Sequence, residues 1–424
     1  MKTQFFKNDL LGEYSVSLLD NGLEIYVMEK SGFDSTFALY GTKYGSINTK
    51  FSRNGGEDIE VPAGIAHFLE HKLFESEDGD AFSRFAKTGA YCNAYTSFDK
   101  TCYIFSCTKN FEENLDILLD FVQSPYFTAE TVLKEQGIIG QEIKMYEDNP
   151  GWRVFFNLLH EMYENHPVKI DIAGTVDSIA QIDDKLLYEC YNTFYNPSNM
   201  FICIAGNVKT EKVLAQIENG MKPSEVVTVK SAIFSEQKEV KNHYTEQSLE
   251  VSKPLFCLGF KDVFEGDRLS LKERTVAGIT LELLCGDCSP LYRKLLSDGL
   301  IDNELSAEHF QGEGYSAFMI EGESDNPEFV AEEIKKEVKS LILNGIDKKL
   351  LSAVKKAAYG DAVKRFDNTE NIVSDMMDCA ISGGGLFDEL EILKQIHEKD
   401  IIECLKKMTE EAHVLSVINP KKKG

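Results

Sequence analysis

The chain has 424 residues, more than one compact hydrophobic core usually serves, so we expect two or three domains. Its residues are 43% apolar and 27% charged, and the lack of any run of about 18 apolar residues argues against a membrane span. The net charge of −25 repels polyphosphate and argues against a nucleic-acid partner. The same charge would draw basic peptides into an acidic cleft, although it equally serves plain solubility.

The amino terminus and the cysteines predict a cytoplasmic protein. The first residues, MKTQFFKNDLLGEY, lack the apolar stretch and small-residue cleavage site of a signal peptide. Ten cysteines are scattered along the chain, and thiols stay reduced in the cytoplasm. Cys285 and Cys288 form a lone C-x-x-C without a second pair, which we interpret as buried free thiols rather than as a zinc or redox site.

The first predicted elements are two strands followed by a helix. The stretch 14–30 alternates apolar and polar residues around Asn21–Gly22, a dipeptide typical of a hairpin turn. The stretch GIAHFLEHKLFE (64–75) has apolar residues at helical spacing, and Pro62 suits the first turn of that helix.

The predicted helix over 64–75 carries residues that could form a metal site. His67 and His71 are one turn apart and so lie on the same face, with Glu70 beside them. Two imidazoles at this spacing can hold one zinc ion, and an adjacent carboxylate can take a proton from its water. The alternative is an amphipathic core helix that carries histidines without a metal.

Three elements follow in an order that recurs later. A helix in FSRFAKTGAYCNAY (82–95) ends at Gly89, a strand follows at 100–108, and Pro125 stops an amphipathic helix over 111–124. The same order of helix, glycine, strand and helix returns about 210 residues later, in SPLYRKLLSDGLI, GYSAFMIEGE and NPEFVAEEIKKEVKSLI. We therefore infer two similar halves.

A further helix is predicted between Thr128 and Pro150, and it offers candidates for the third metal ligand that zinc requires. Glu135 and Glu142 are seven residues apart on it, so both lie on one face. Either could be the ligand, and the other could be a second acid that orients it. A solvated acidic helix face is the alternative.

The predicted fold class is α+β, with two homologous domains that are each a largely antiparallel β-sheet flanked by helices. The N-terminal domain is predicted over 1–220 and the C-terminal domain over 245–424. The segment between them, 221–244, is polar and lacks helical periodicity, so we interpret it as a linker.

HFLEH, followed 71 residues later by Glu142 in GIIGQEI, closely resembles the inverzincins of the pitrilysin and insulysin group, the family of the mitochondrial processing peptidase. The resemblance extends to GAYCNAYTSFDKTCY, HPVKIDIAGTVDSI and FYNPSNMFICIAGNV, and so covers essentially the whole N-terminal half. The second half resembles the other domain of that family more loosely, in GDCSPLYRKLLSDGLI.

The resemblance implies roles for the candidate residues. His67, His71 and Glu142 would bind one zinc ion, Glu70 would be the general base, and Glu135 would be the second acid near the metal. It also implies that the two domains form half of a clam-shell chamber. The choice between the two glutamates, which spacing leaves open, is thereby made in favour of Glu142.

Two further stretches bear on substrate and partner. TGAYCNAYTS resembles the edge strand that binds substrate in the family, with Asn93 and Ala94 as the contact candidates. The family usually places an arginine and a tyrosine around the Gly-Leu of its second domain, but aligned on Gly299–Leu300 those positions hold Leu295 and Asp302. We therefore hypothesise that a related subunit supplies the Arg/Tyr pair in a heterodimer, with a homodimer as the alternative.

These observations predict a zinc metallopeptidase subunit of the cytoplasm that hydrolyses peptide bonds in unstructured peptides. Removal of a leader from a precursor peptide is one specific role, and general peptide turnover is another. The alternative is a non-catalytic scaffold or peptide-binding subunit of a related complex, although such subunits typically lose the metal ligands that this chain retains.

Overall fold

A computed structural model describes residues 1–77, 79–302 and 305–421. The strands are β1 Lys2–Asn8, β2 Gly12–Leu18, β3 Glu24–Glu29, β4 Thr36–Thr42, β5 Lys50–Arg53, β6 Asp58–Glu60, β7 Glu75–Ser76, β8 Gly79–Asp80, β9 Tyr91–Thr96, β10 Thr101–Cys107, β11 Met200–Gly206, β12 Val229–Ser231, β13 Tyr244–Leu249, β14 Leu255–Lys261, β15 Ser306–Gly312, β16 Tyr315–Glu323 and β17 His413–Pro420. The helices are α1 Ile65–Leu73, α2 Ala81–Thr88, α3 Phe111–Val122, α4 Ala129–Glu147, α5 Pro150–Met162, α6 Val176–Ile179, α7 Asp184–Phe194, α8 Thr210–Gly220, α9 Leu271–Cys285, α10 Pro290–Ser297, α11 Pro327–Asn344, α12 Lys348–Lys364, α13 Thr369–Ser382, α14 Asp388–Gln395 and α15 Glu398–Leu405.

The chain forms two compact units, and each takes in a segment from the other half of the sequence. The first unit consists of residues 1–143, 171–232 and 363–386. The second consists of 144–170, 233–362 and the chain from 387 onwards. The predicted linker 221–244 contains both β12, which pairs with β5, and the crossing from the first unit to the second.

The first unit is built on a seven-stranded sheet in the order β1-β2-β3-β11-β4-β10-β9. All neighbouring strands are antiparallel except β11 and β3, which are parallel. The central strands β4 and β11 are buried along their whole length, as expected of a sheet covered on both faces. Helix α13 packs on these two strands with Ile372, Val373 and Met376 fully buried.

The second unit is built on a five-stranded sheet in the order β13-β17-β14-β16-β15. Its one parallel pair is β13 with β17, so the five strands repeat the arrangement of β3, β11, β4, β10 and β9. Helix α5 packs on β14 and β17. A Cβ on Gly259 of β14 would lie 2.5 Å from the Met162 side chain, so glycine allows α5 to approach the sheet closely. The predicted α+β class and the duplication are confirmed.

The predicted hairpin and the predicted helix end at Gly89 are confirmed, whereas one predicted helix start is wrong. Strands β2 and β3 flank Asn21–Gly22, and α2 ends at Gly89, which has the left-handed conformation (φ 77°) that favours glycine. The prediction that Pro62 lies in the first turn of its helix is wrong, because α1 begins at Ile65. The preceding Gly64 has φ 91°, and a Cβ there would lie 2.4 Å from a backbone carbonyl oxygen, so close packing places the helix start beyond the proline.

All ten cysteines are free thiols. Cys285 is buried as expected, whereas Cys288 is exposed, so the prediction of a buried thiol is wrong at that position. The reason is its place in the short turn between α9 and α10. Among the described residues, no helix combines the length and apolar character needed to cross a bilayer.

Candidate active site

Helix α1 holds the two candidate metal-binding histidines against the core of the first unit. Its apolar residues Ile65, Phe68 and Leu69 are 3% exposed or less, which fixes the rotation of the helix about its axis. With that rotation His67 and His71 lie side by side, their ring centroids 4.5 Å apart. The helix therefore presents a pair of imidazoles, as the i and i+4 spacing predicted.

Helix α4 brings Glu142 to the same place. Its Oε1 lies 3.7 Å from Nε2 of His67, and its Oε2 lies 3.6 Å from Nε2 of His71. Within the described ranges, these three residues are the group whose metal-ligating atoms all lie within 4.8 Å of one another. The separations are too long for hydrogen bonds, but they are close to the roughly 3.4 Å between two ligands of a tetrahedral zinc ion. The donor set therefore fits zinc.

The surroundings keep His67 in the neutral form that a metal requires. Burial and the charge of the neighbouring His71 lower the pKa of His67 to about 3. Its Nε2 faces Glu142, while its Nδ1 is buried without a hydrogen-bond partner among the described residues. At neutral pH the ring is thus uncharged, and the lone pair of one nitrogen is available to a cation.

Glu135 contacts His71, one of the two candidate metal ligands on α1, through the ring nitrogen that faces away from Glu142. Its Oε1 lies 3.0 Å from Nδ1 of His71, so Nδ1 carries the proton and Nε2 is left to face Glu142. Burial opposes a charge on His71, but this hydrogen bond and the nearby carboxylates raise its pKa above the usual value. A carboxylate bonded to the distal nitrogen of a ligating histidine is the usual way to fix the ring of that ligand. The two glutamates of α4 are therefore distinguished by which nitrogen each one faces.

Glu70 lies on α1 beside the candidate metal-binding group and is only 8% exposed. The Oγ1 hydroxyl of Thr96 donates a hydrogen bond of 2.6 Å to its Oε2. Burial raises the pKa of Glu70 above its usual value despite this bond. Thr96 is a site residue that the sequence analysis missed, although it lies two residues beyond Ala94 in the stretch compared with the substrate-binding strand.

Strand β9, which carries Asn93 and Ala94, is the edge of the seven-stranded sheet and packs beside α1. Ser97 N–H donates to the Lys100 carbonyl, so the hydrogen-bonded pairs with β10 include Asn93 and skip Ala94. The N–H and C=O of Ala94 therefore point to the open edge, as do those of Thr96. Asn93 directs its backbone towards β10, and its exposed side chain donates to the Tyr91 hydroxyl at 3.2 Å.

The two aligned positions of the second half have other roles. Leu295 is completely buried in α10, and the carboxylate of Asp302 pairs with Lys253. Arg293, two positions before Leu295, is exposed. Neither aligned side chain carries a cationic or phenolic group that could support a developing oxyanion.

Comparisons with known proteins show the family to which the chain belongs. The family model described as "Insulinase (Peptidase family M16)" matches residues 54–176, which include every candidate ligand and acid, and "Peptidase M16 inactive domain" matches 181–358. A protein of Bacillus subtilis named "Uncharacterized zinc protease YmfH" is 43% identical over 90% of this chain and 91% of its own.

Solved structures show the same fold. The crystal structure of an M16-like peptidase from Alicyclobacillus acidocaldarius has a TM-score of 0.92 and 33% identity, covering 96% of this chain and 98% of that one. The periplasmic protease PqqL of Escherichia coli has a TM-score of 0.74 and 18% identity, which shows a likeness of fold. The match covers 97% of this chain but 48% of PqqL, so that protein is about twice as long.

Proposed function

This chain belongs to the insulinase family of peptidases, family M16, and we propose that it is a zinc-dependent peptidase subunit that hydrolyses peptide bonds in unstructured peptides. The observation that carries the proposal is the convergence of two imidazoles and one carboxylate, from α1 and α4, beside a buried glutamate. Two neutral nitrogen donors and one carboxylate are a ligand set found in catalytic zinc peptidases.

His67, His71 and Glu142 would hold a single zinc ion. When bound, zinc polarises the scissile carbonyl and makes water a better nucleophile at neutral pH. The role of Glu135 is to fix the ring of His71, since its carboxylate accepts a hydrogen bond from Nδ1–H. Its hydrogen bond also increases the electron density that His71 offers through Nε2.

Glu70 is the general base in this proposal. Its carboxylate would accept a proton from the attacking water and then pass that proton to the nitrogen of the leaving amine. The raised pKa supports the second transfer, because a carboxyl group of higher pKa holds the proton until the amine takes it. The hydrogen bond from Thr96 holds the carboxylate in one orientation for both transfers.

The open edge of β9 is the proposed site for the peptide backbone. An extended substrate that adds to this edge would pair with the N–H and C=O of Ala94, and such main-chain bonds give affinity with little dependence on sequence. Asn93 would contribute through its exposed side chain. A site that reads extended backbone supports unstructured peptides as the substrate, in precursor processing or in general turnover in the cytoplasm.

A related second subunit is part of the proposal. The developing oxyanion of the scissile carbonyl needs a positive or hydrogen-bonding group, and the aligned positions here hold Leu295 and Asp302. A heterodimer partner that carries the Arg/Tyr pair would supply that group, and a homodimer is the other arrangement. The match to about half of PqqL supports pairing, because a single chain there has the length of two of these.

The test compares wild type, Glu70→Gln and Glu130→Gln, an exposed acid of α4 that serves as the matched control. We expect all three to retain about one zinc per chain by elemental analysis. Glu70→Gln should lose cleavage of a long unfolded peptide by roughly 10²–10⁴-fold, as for removal of a general base. Equal cleavage by wild type and Glu70→Gln would overturn the base assignment.

The same assay, run with and without the product of the adjacent gene as a candidate second subunit, separates the remaining alternatives. Stimulation by that subunit supports the heterodimer, whereas full activity of the chain alone, unchanged by the second subunit, contradicts it. The second candidate function, a non-catalytic peptide-binding subunit, is favoured by the residues at positions 295 and 302. Peptide binding without cleavage under every condition would support it.

A further inference from the structure

Helix α12 in the second unit has a charge composition opposite to that of the whole chain. Its sequence, KKLLSAVKKAAYGDAVK, contains five lysines and one aspartate, whereas the chain has 45 basic and 70 acidic residues. Lys348 and Lys349 occupy the first turn, where the positive end of the helix dipole disfavours cations. Features that oppose local stability in this way often belong to binding sites.

One face of α12 lines a groove of about 530 Å³. The other side of the groove is formed by the end of α14 and the residues that lead into α15. The apolar part of the lining includes Leu351, Leu393 and Ile396, which are 9% exposed or less. A volume of this size is in the range of sites for small organic ligands.

Cations without acidic partners stand along one side of the groove. Lys348, Ser352 and Lys356 follow each other at intervals of four residues, so they share one face of α12. Among the described residues, neither Lys348 nor Lys356 forms an ion pair, and both are exposed. The acid in the lining, Glu398, instead accepts a hydrogen bond of 3.0 Å from the Ile346 N–H.

The other two lysines of the groove are held by the protein itself. The Nζ of Lys355 donates to the carbonyl oxygens of Lys394 and Ile396, which lie at the end of α14 and just beyond it. The ammonium group of Lys394 pairs with Glu391 at 2.6 Å and lies 5.7 Å from the centre of the Tyr359 ring. These contacts shape the groove, and they leave Lys348 and Lys356 as the cations available to a ligand.

We propose that this groove binds an amphipathic organic anion. The carboxylate or phosphate head of the ligand contacts the ammonium groups of Lys348 and Lys356 and the hydroxyl of Ser352. Its apolar body packs on Leu351 and the other buried residues of the lining. Binding here uses none of the residues of the peptidase site, so the proposal does not depend on the proposed function.

The test measures binding to the full chain by isothermal titration calorimetry. The four probes are decanoate, decyl phosphate, inorganic phosphate and decanol. Decanoate or decyl phosphate should bind with one site per chain, and the one that binds tighter identifies the preferred head group. Inorganic phosphate and decanol should each bind at least about tenfold more weakly, because each lacks one half of the interaction.

Two double variants carry the same change in net charge. Lys348→Glu with Lys356→Glu should weaken decanoate binding about tenfold or more, while Lys185→Glu with Lys212→Glu, on exposed helix positions of the first unit, should leave it unchanged. An acid at position 348 suits the first turn of a helix, so the groove variant should keep its melting temperature.

Three results would overturn the proposal. One is the absence of saturable decanoate or decyl phosphate binding by the wild-type chain. Another is equal binding of decanol or of inorganic phosphate, which would remove the need for an amphipathic ligand. The third is an equal loss of affinity in both double variants, which would indicate a general effect of net charge rather than a site at Lys348 and Lys356.

Discussion

The hydrogen bond from Thr96 to Glu70 leads to a quantitative prediction for Thr96→Val. Valine has nearly the same shape but no donor, so the 2.6 Å bond to the buried carboxylate is lost. Hydrogen bonds to charged groups contribute about 1.5–3 kcal/mol, and we take the lower value of about 1.5 kcal/mol. That energy corresponds to a rise of about one unit in the pKa of Glu70.

The sign of the effect follows from the proposed role of Glu70 as the general base. A higher pKa leaves less of the carboxylate ionised at a given pH, so the acidic limb of kcat/KM should move about one unit towards higher pH. Below that limb Thr96→Val should be about tenfold slower than wild type, and the two rates should converge above it. The measurement is a pH–rate profile of zinc-loaded enzyme, with Thr96→Ser as the control that keeps the hydroxyl and the wild-type limb. A zinc-loaded Thr96→Val enzyme with an unshifted limb would refute the argument.

Three further changes test other parts of the site and fold. Glu135→Gln should weaken zinc affinity about 10–100-fold in a chelator competition, because the imidazole it holds loses its charged partner, and unchanged affinity would contradict that role. Ala94→Pro should raise KM without loss of zinc or of melting temperature, because the N–H that it removes faces the open edge of β9. Asn93→Pro should lower the melting temperature, because the N–H that it removes pairs with β10. The opposite pattern would show that the register of β9 and β10 is wrong. A chain that ends at residue 232 lacks α13, which belongs to the first unit. Calorimetry of this chain should show no cooperative unfolding transition until a peptide of residues 363–386 is added. A native-like transition without the peptide would count against the compact units described above.

The juxtaposition of the candidate metal-binding histidines could be predicted from sequence because it is a local feature. His67 and His71 share a face by helical spacing alone, and no tertiary contact is needed to bring them together. The choice between Glu135 and Glu142 is different, since the seven-residue spacing places both on one face. Only the packing of α4 against α1 determines that Glu142 faces both Nε2 atoms while Glu135 faces Nδ1 of His71.

Thr96 could not be found by the same reasoning, because its contact with Glu70 joins residues 26 positions apart. The contact depends on the register of the β9–β10 hairpin, which directs the backbone of Thr96 and Ala94 to the open edge. A shift of one residue would exchange the backbone directions of Asn93 and Ala94. The resemblance to the family gave Asn93 and Ala94 the same proposed role in substrate binding. The hydrogen-bond pattern separates them, because the backbone of Ala94 faces the open edge whereas that of Asn93 pairs with β10.

The exchange of segments between the two units explains why the second half of the chain matters for the first. Periodicity predicts that α13 and α5 are helices, but it does not predict which sheet each one covers. In the structure α13, from the C-terminal half, covers β4 and β11, which form the centre of the sheet whose edge strand lies beside the metal-binding helix. Helix α4 belongs to both units, with Glu142 just before the point at which the chain passes to the second. The sheet beside the candidate metal ligands is therefore covered in part by a half of the chain that contributes no candidate ligand.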